Sequence, residues 1–173
     1  MKNDFIFPIL ALSLICLVMT AALAFVNDVT QPVIEEAAYH RATQAMRDII
    51  PLADGFVEIE LTDMPVAVSA AYKATNDTGY IFIVNTRGFG GEMRIMSGVC
   101  NDGNFMGSSV LHHYETINFA NKVFAVRDDY EERGLSLLEA DVITGATMTF
   151  NAYQHAIQYA HEAFAALRGL SNE

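Results

Sequence analysis

Two threonines around a Gly-Ala pair are the residues of this chain best suited to chemistry. They are Thr144 and Thr147, in the segment Asp141-Val142-Ile143-Thr144-Gly145-Ala146-Thr147. Apolar residues then recur at helical spacing, at Phe150, Tyr153, Ile157, Ala160, Phe164 and Leu167. A helix start gathers unpaired N–H groups and the positive end of the helix dipole, so it suits a phosphate. Gly145 and Ala146 allow close approach to the backbone, and the Thr147 hydroxyl can hydrogen-bond that phosphate or be esterified to it.

The same residues also fit an ordinary helix N-cap. In that interpretation the hydroxyl of Thr147 or Thr149 satisfies the orphan amides of the first turn. Hydroxyl residues are common at helix starts, so composition alone favours the cap. The choice between the cap and the phosphate site therefore depends on the rest of the sequence.

An apolar segment without a charged residue, Phe5–Val26, opens the chain. At about 1.5 Å per residue, a helix of this length spans roughly the 30 Å hydrocarbon core of a bilayer. Ala22-Leu23-Ala24 resembles a signal-peptidase site, but the apolar run is long for a signal peptide and continues beyond it. We predict an uncleaved transmembrane anchor at residues 1–26. Lys2 precedes the span and acidic residues follow it, so the positive-inside rule leaves the N-terminus in the cytoplasm.

The remaining sequence predicts an α+β domain. Residues 27–51 are predicted to form a linker helix that leaves the membrane, with a turn of Asn27 and Thr30-Gln31-Pro32 at its start, and Pro51 closes it. Residues 52–173 form a single domain. Runs of β-formers separated by turn residues predict strands at Val66–Lys73, Tyr80–Val84, Met93–Val99 and Phe105–Leu111. We expect a twisted antiparallel sheet, with the linker helix and the helix from Phe150 packed on it.

The threonine segment resembles the flavinylation motif Asp-x-x-Ser/Thr-Gly-Ala-Thr/Ser. That motif belongs to two related FMN-binding subunits, the one designated G in the Rnf ion-translocating electron-transport complex and the one designated C in the sodium-translocating NADH:quinone reductase. The single anchor is similar to that of the Rnf subunit. Gly88-Phe89-Gly90-Gly91 stands where the family has a glycine loop, and His113-Tyr114-Glu115-Thr116 matches the family's His-x-Glu-Thr. The family continues with Pro-Gly-Leu-Gly, whereas this chain has Ile117-Asn118-Phe119-Ala120.

This resemblance implies a covalent-FMN electron carrier. Its phosphate would be bonded to Thr147, and the further cofactor-binding residues would be Thr144, Gly145, Ala146, Asp141, Glu115 and Thr116. Asp141 would orient the threonine for the flavin transferase that installs FMN. The resemblance also implies a subunit of an ion-translocating ferredoxin:NAD⁺ oxidoreductase, with the other Rnf subunits as partners. The chain would lie in the cytoplasmic (inner) membrane with its C-terminal domain extracytoplasmic (periplasmic), and would not be catalytic alone.

Composition and spacing argue against several other classes. A formal net charge of −11 disfavours nucleic acid, whose phosphates need lysine and arginine. His112 and His113 are adjacent in a strand and point to opposite faces, so they do not chelate one metal together. Cys16 in the anchor and Cys100 near a hairpin turn do not pair within one subunit. Three alternatives stay open: a flavoprotein like that of the sodium-translocating quinone reductase, a membrane-anchored ligand-binding or sensor module of the same fold, and a flavin-bearing domain of a membrane regulator.

Overall fold

The computed structural model describes residues 3–62, 64–132, 140–141 and 143–169. Residues up to Arg41 form one compact unit and residues from Ala42 form another. Helix α1, Asn3–Ile49, belongs to both. From Ile6 this helix is long and apolar enough to cross a membrane, and its most apolar stretch of 18 residues has a mean hydropathy of 2.7. Its large apolar side chains between Ile6 and Val26 are exposed, as expected of a helix that contacts lipid.

Helix α1 also overturns one detail of the sequence prediction. The turn expected at residues 27–32 is wrong, because the helix runs through this stretch with Pro32 inside it. Proline removes a single backbone donor, and the neighbouring turns keep their hydrogen bonds. The Thr30 hydroxyl donates to the Val26 carbonyl oxygen at 2.8 Å, which adds a bond within the same stretch.

Five antiparallel strands make one open sheet in the order of the chain. They are β1 Phe56–Ile59, β2 Val68–Ala74, β3 Gly79–Arg87, β4 Glu92–Cys100 and β5 Phe105–His113. The expected antiparallel sheet is confirmed, and strands β2 to β5 contain most of each predicted segment. Strand β1 escaped prediction because four residues are too few to show a period.

Two helices follow the sheet. Helix α2 is Ile117–Glu132 and helix α3 is Thr147–Leu167, so α3 begins one turn before Phe150. One face of the sheet packs on α3, and this core buries Phe82, Val84, Met93, Ile95, Val99, Phe150, Tyr153, Ile157, Ala160 and Phe164. The opposite face packs on the end of α1, through Ala45, Met46, Ile49 and Ile50 against Ile81, Ile83 and Met96. The sheet thus carries a helix on each face, as the sequence predicts.

Helix α2 is fixed in place by contacts on its inner side. Ala120 and Val123 are buried in the core. The Arg127 guanidinium lies 5.4 Å from the centre of the Phe124 ring. Burial lowers the pKa of Arg127, but Tyr153 of α3 and Asp128 outweigh this and raise it above its ordinary value. The charged guanidinium therefore links α2 to α3.

The α1 end should stabilise the domain through Ile50, which is fully buried. We expect Ile50→Ala to lower the free energy of unfolding by about 2–5 kcal/mol, because it removes core contacts and leaves a cavity. Leu52→Ala is the matched control, since Leu52 is 77% exposed. Urea denaturation of the chain in detergent, followed by tyrosine fluorescence, measures both. Equal stability of the two variants would contradict this packing.

Candidate functional site

The start of α3 is a tight turn that leaves backbone donors accessible. The Ala146 N–H donates to the Ile143 carbonyl oxygen at 3.1 Å, and Gly145 between them has φ +84°. That left-handed conformation favours glycine over residues with a Cβ. Ala146 is the N-cap and offers no side-chain hydrogen bond to the first turn. The first N–H groups of α3 have no partner within the helix, so this end can receive an anion.

The two threonines of the first turn face different surroundings. Thr147 is exposed, and its hydroxyl lies 3.4 Å from the Ile143 carbonyl oxygen. Thr149 is only 1% exposed, and its hydroxyl donates to Oε2 of Glu115 at 2.8 Å. Neither hydroxyl caps the helix as the ordinary N-cap interpretation requires. Thr147 is therefore the threonine of this turn whose hydroxyl an external reactant can reach.

Glu115 connects the start of α3 to the glycine loop between β3 and β4. Glu115 is 6% exposed, and its Oε1 accepts a hydrogen bond from the Gly90 N–H at 3.0 Å. A Cβ on Gly90 would overlap the carbonyl oxygen of Tyr114, so a larger residue does not fit there. Burying a carboxylate is costly unless hydrogen bonds replace its water. Thr149 and Gly90 supply two such bonds. The glycine loop, the start of α3 and the Glu115 carboxylate are therefore joined into one hydrogen-bonded unit.

A cavity of about 230 Å³ lies beside this unit. Its lining residues are Phe89, Gly145, Ala146, Thr147, Met148 and Thr149. Phe89 and Met148 are 63% and 58% exposed. The cavity therefore combines a hydroxyl and the backbone of the helix start with two exposed apolar side chains.

The sequence-predicted residues divide into three groups in the structure. Gly145, Ala146 and Thr147 line the cavity, and Thr144 lies exposed in the turn that leads into it. Glu115 lies beneath the helix start, where it bonds Thr149.

The other two predicted residues are exposed and do not line the cavity. They are Asp141 and Thr116. The Thr116 carbonyl oxygen accepts the Ala120 N–H at 3.1 Å and so belongs to the start of α2.

Sequence reasoning missed Thr149 as the partner of Glu115, and it missed Met148. A Thr-x-Thr pair at a helix start alternates sides of the helix, which is the signal that distinguishes a buried from an exposed hydroxyl. No spacing rule links Thr149 to a glutamate 34 positions earlier, so only the folded chain shows that bond.

Residues 88–162 match the model of the FMN-binding domain family. This segment contains the glycine loop, Glu115, α2 and the start of α3. The matched residues make up less than half of the chain, which is similar to the family over that segment. The cavity beside Thr147 is thus inside the matched region, and the resemblance on which the sequence analysis relied is confirmed.

Several relatives of this chain are named as the G component of an ion-translocating oxidoreductase complex. The one from Stutzerimonas stutzeri is 30% identical over 139 residues, which cover 74% of this chain and 60% of the relative. The one from Shewanella piezotolerans is 26% identical over 191 aligned positions, which cover 92% of this chain and 89% of the relative. The one from Cereibacter sphaeroides is 29% identical over 131 residues, covering 71% and 60%. The match thus spans less than two thirds of two of these three relatives.

The division between the two threonines predicts that substituting them affects stability unequally. Thr149→Val should lower the free energy of unfolding by about 1–3 kcal/mol, because the buried Glu115 carboxylate loses a hydrogen bond. Thr147→Val should change it by less than about 0.5 kcal/mol, as for most exposed positions. Valine and threonine have similar helix propensities, so that contribution cancels. Urea denaturation of flavin-free protein measures both. A larger loss in Thr147→Val would contradict the assignment.

Proposed function

We propose that this chain is a covalent-FMN electron carrier of a membrane-bound, ion-translocating oxidoreductase complex of the Rnf type. The observation that carries the proposal is the exposed hydroxyl of Thr147 at the open N-terminus of α3, inside a matched FMN-binding domain. The names of the relatives support the placement in such a complex. FMN, when bound, supplies the electron transfer that amino-acid side chains do not.

The residues at the site fit the phosphate end of FMN. The α3 start offers amides and the positive end of the helix dipole to a phosphate. Gly145 has no side chain to block the approach, and Thr144 lies in the same turn. Phe89 and Met148 offer an apolar surface for the ring. The cavity of about 230 Å³ is small for a dissociable cofactor, since ligand pockets usually hold about 300–1,000 Å³. A covalent bond compensates for weak enclosure.

Attachment at Thr147 is a phosphoryl transfer in which one bond forms and one bond breaks. The bond that forms joins Oγ1 of Thr147 to the phosphorus of FMN. The bond that breaks is the phosphoanhydride of a flavin dinucleotide donor, and a nucleoside monophosphate leaves with that oxygen. The threonine proton passes to a base of the flavin transferase, and no electrons are exchanged. Asp141, exposed a short distance before the turn, is placed to meet the transferase.

The partners follow from the same assignment. We infer that the other subunits of the complex exchange electrons with this domain, and that a flavin transferase matures it. Helix α1 holds the domain at the cytoplasmic membrane, with the N-terminus in the cytoplasm and the domain on the outer face. Glu115 acts as a positioning residue through its bonds to Thr149 and Gly90. A cofactor-binding role for Thr116 rests on the family resemblance alone.

The test of attachment is fluorescence in a denaturing gel. Wild-type protein coproduced with the transferase should keep its flavin through denaturation and fluoresce under ultraviolet light. Thr147→Ala should lose the band completely, because the oxygen that forms the ester is gone. Thr147→Ser should retain a band, since it keeps a hydroxyl. Thr144→Ala should give a weaker band, since it leaves the acceptor in place.

Folding of Thr147→Ala is the control, and its unfolding free energy should stay within about 0.5 kcal/mol of wild type. Covalent flavin in Thr147→Ala, or none in wild type coproduced with an active transferase, would rule the attachment out.

Orientation is tested by cysteine accessibility in a background with Cys16 and Cys100 replaced by serine. Gln158 is exposed on α3, so Gln158→Cys should react with a membrane-impermeant maleimide in intact spheroplasts. Asn3→Cys, before the span, should react only after lysis. The reverse pattern would overturn the positive-inside argument, which depends largely on Lys2.

A further inference from the structure

Lys122 of α2 lies next to the turn that leads into α3. A Cβ built on Gly145 would be 3.5 Å from Nζ of Lys122. The lysine side chain is exposed. Within the described residues, no carboxylate forms an ion pair with it. An ammonium group therefore lies beside the Gly145 backbone, two residues before Thr147.

The position of this ammonium is set by the core. Ala120 and Val123, on either side of Lys122 along α2, are 1% and 0% exposed. Arg127 links the next part of the helix to Tyr153 of α3. With its helix seated in this way, Lys122 can swing only within the reach of its four-carbon stem, and that reach includes the Gly145 turn.

We infer that Lys122 is a positioning residue that pairs with the flavin phosphate at Thr147, both during attachment and afterwards. This inference rests on the proposed function. The phosphate ester keeps one negative charge, and the chain already has a formal net charge of −11. The α3 dipole supplies only about half a positive charge. Lys122 adds a whole one beside the same turn, and it forms and breaks no bond.

Other basic side chains show by contrast why Lys122 stands out. Lys73 pairs with Asp77 at 2.5 Å, and this carboxylate raises the pKa of Lys73. Arg127 pairs with Asp128 at 2.5 Å. Both cations are thus committed to carboxylates of their own surroundings. Nζ of Lys122 instead lies beside the Gly145 turn, which carries no negative side chain of its own.

The experiment measures the initial rate of flavin attachment to the full-length chain in detergent. Purified transferase and flavin adenine dinucleotide are added, and covalent flavin is read as fluorescence in a denaturing gel. Lys122→Gln should attach flavin about fivefold more slowly than wild type, the effect expected of one exposed charge pair. Lys122→Arg should restore most of the rate, because it restores the charge. Lys73→Gln is the matched control and should behave as wild type.

Salt separates a charge effect from a structural one. The difference between wild type and Lys122→Gln should shrink as salt rises from about 50 mM to about 500 mM, because screening weakens the pair. A structural defect would persist at high salt. Equal rates in wild type and Lys122→Gln would overturn the inference, as would a rate in Lys122→Arg no better than in Lys122→Gln. After either of these two results, the proposed function still stands if wild type carries covalent flavin and Thr147→Ala does not. Absence of flavin from wild type would instead refute the proposed function.

Discussion

The buried carboxylate of Glu115 is the constraint on which the site depends. It comes from the connection after β5, and its two oxygens accept one hydrogen bond from the β3–β4 loop and one from the first turn of α3. A buried charge left without such bonds would destabilise the domain by several kcal/mol. Loop and helix start therefore keep each other in place. The Phe89 side of the cavity and the amides of α3 are fixed relative to each other before any ligand arrives.

That constraint also decides which threonine is available. Residues two apart on a helix lie on nearly opposite sides, so burying Thr149 against Glu115 turns Thr147 outward. Ala146 at the N-cap has no side-chain oxygen to occupy the first amides. A serine or aspartate there would accept hydrogen bonds from those N–H groups and compete with a phosphate. The weak cap thus costs helix stability and leaves the first amides of α3 without a side-chain acceptor at the N-cap.

The sequence was sufficient for what depends on local pattern. Runs of β-forming residues between turn residues predicted strands β2 to β5, and helical spacing predicted the apolar stripe of α3 that packs in the core. The motif located Gly145 and Thr147. What it missed arises from contacts between distant segments: the bond of Thr149 to Glu115, the approach of Lys122 to Gly145, and the pairing of β1. The turn predicted from the residues up to Pro32 was also wrong, because a long helix tolerates one missing backbone N–H donor.

A shallow cavity is an advantage for a carrier whose cofactor is tethered. Enclosure normally supplies the affinity for a dissociable cofactor, but it also separates the ring from electron donors and acceptors. If the phosphate ester at Thr147 retains the flavin, the domain no longer needs to surround the ring. Phe89 and Met148 then need only support one side of it, and both are exposed enough to leave the other side free. Under the proposed attachment, the polar end of the site would determine retention and the apolar end would determine access for partner subunits.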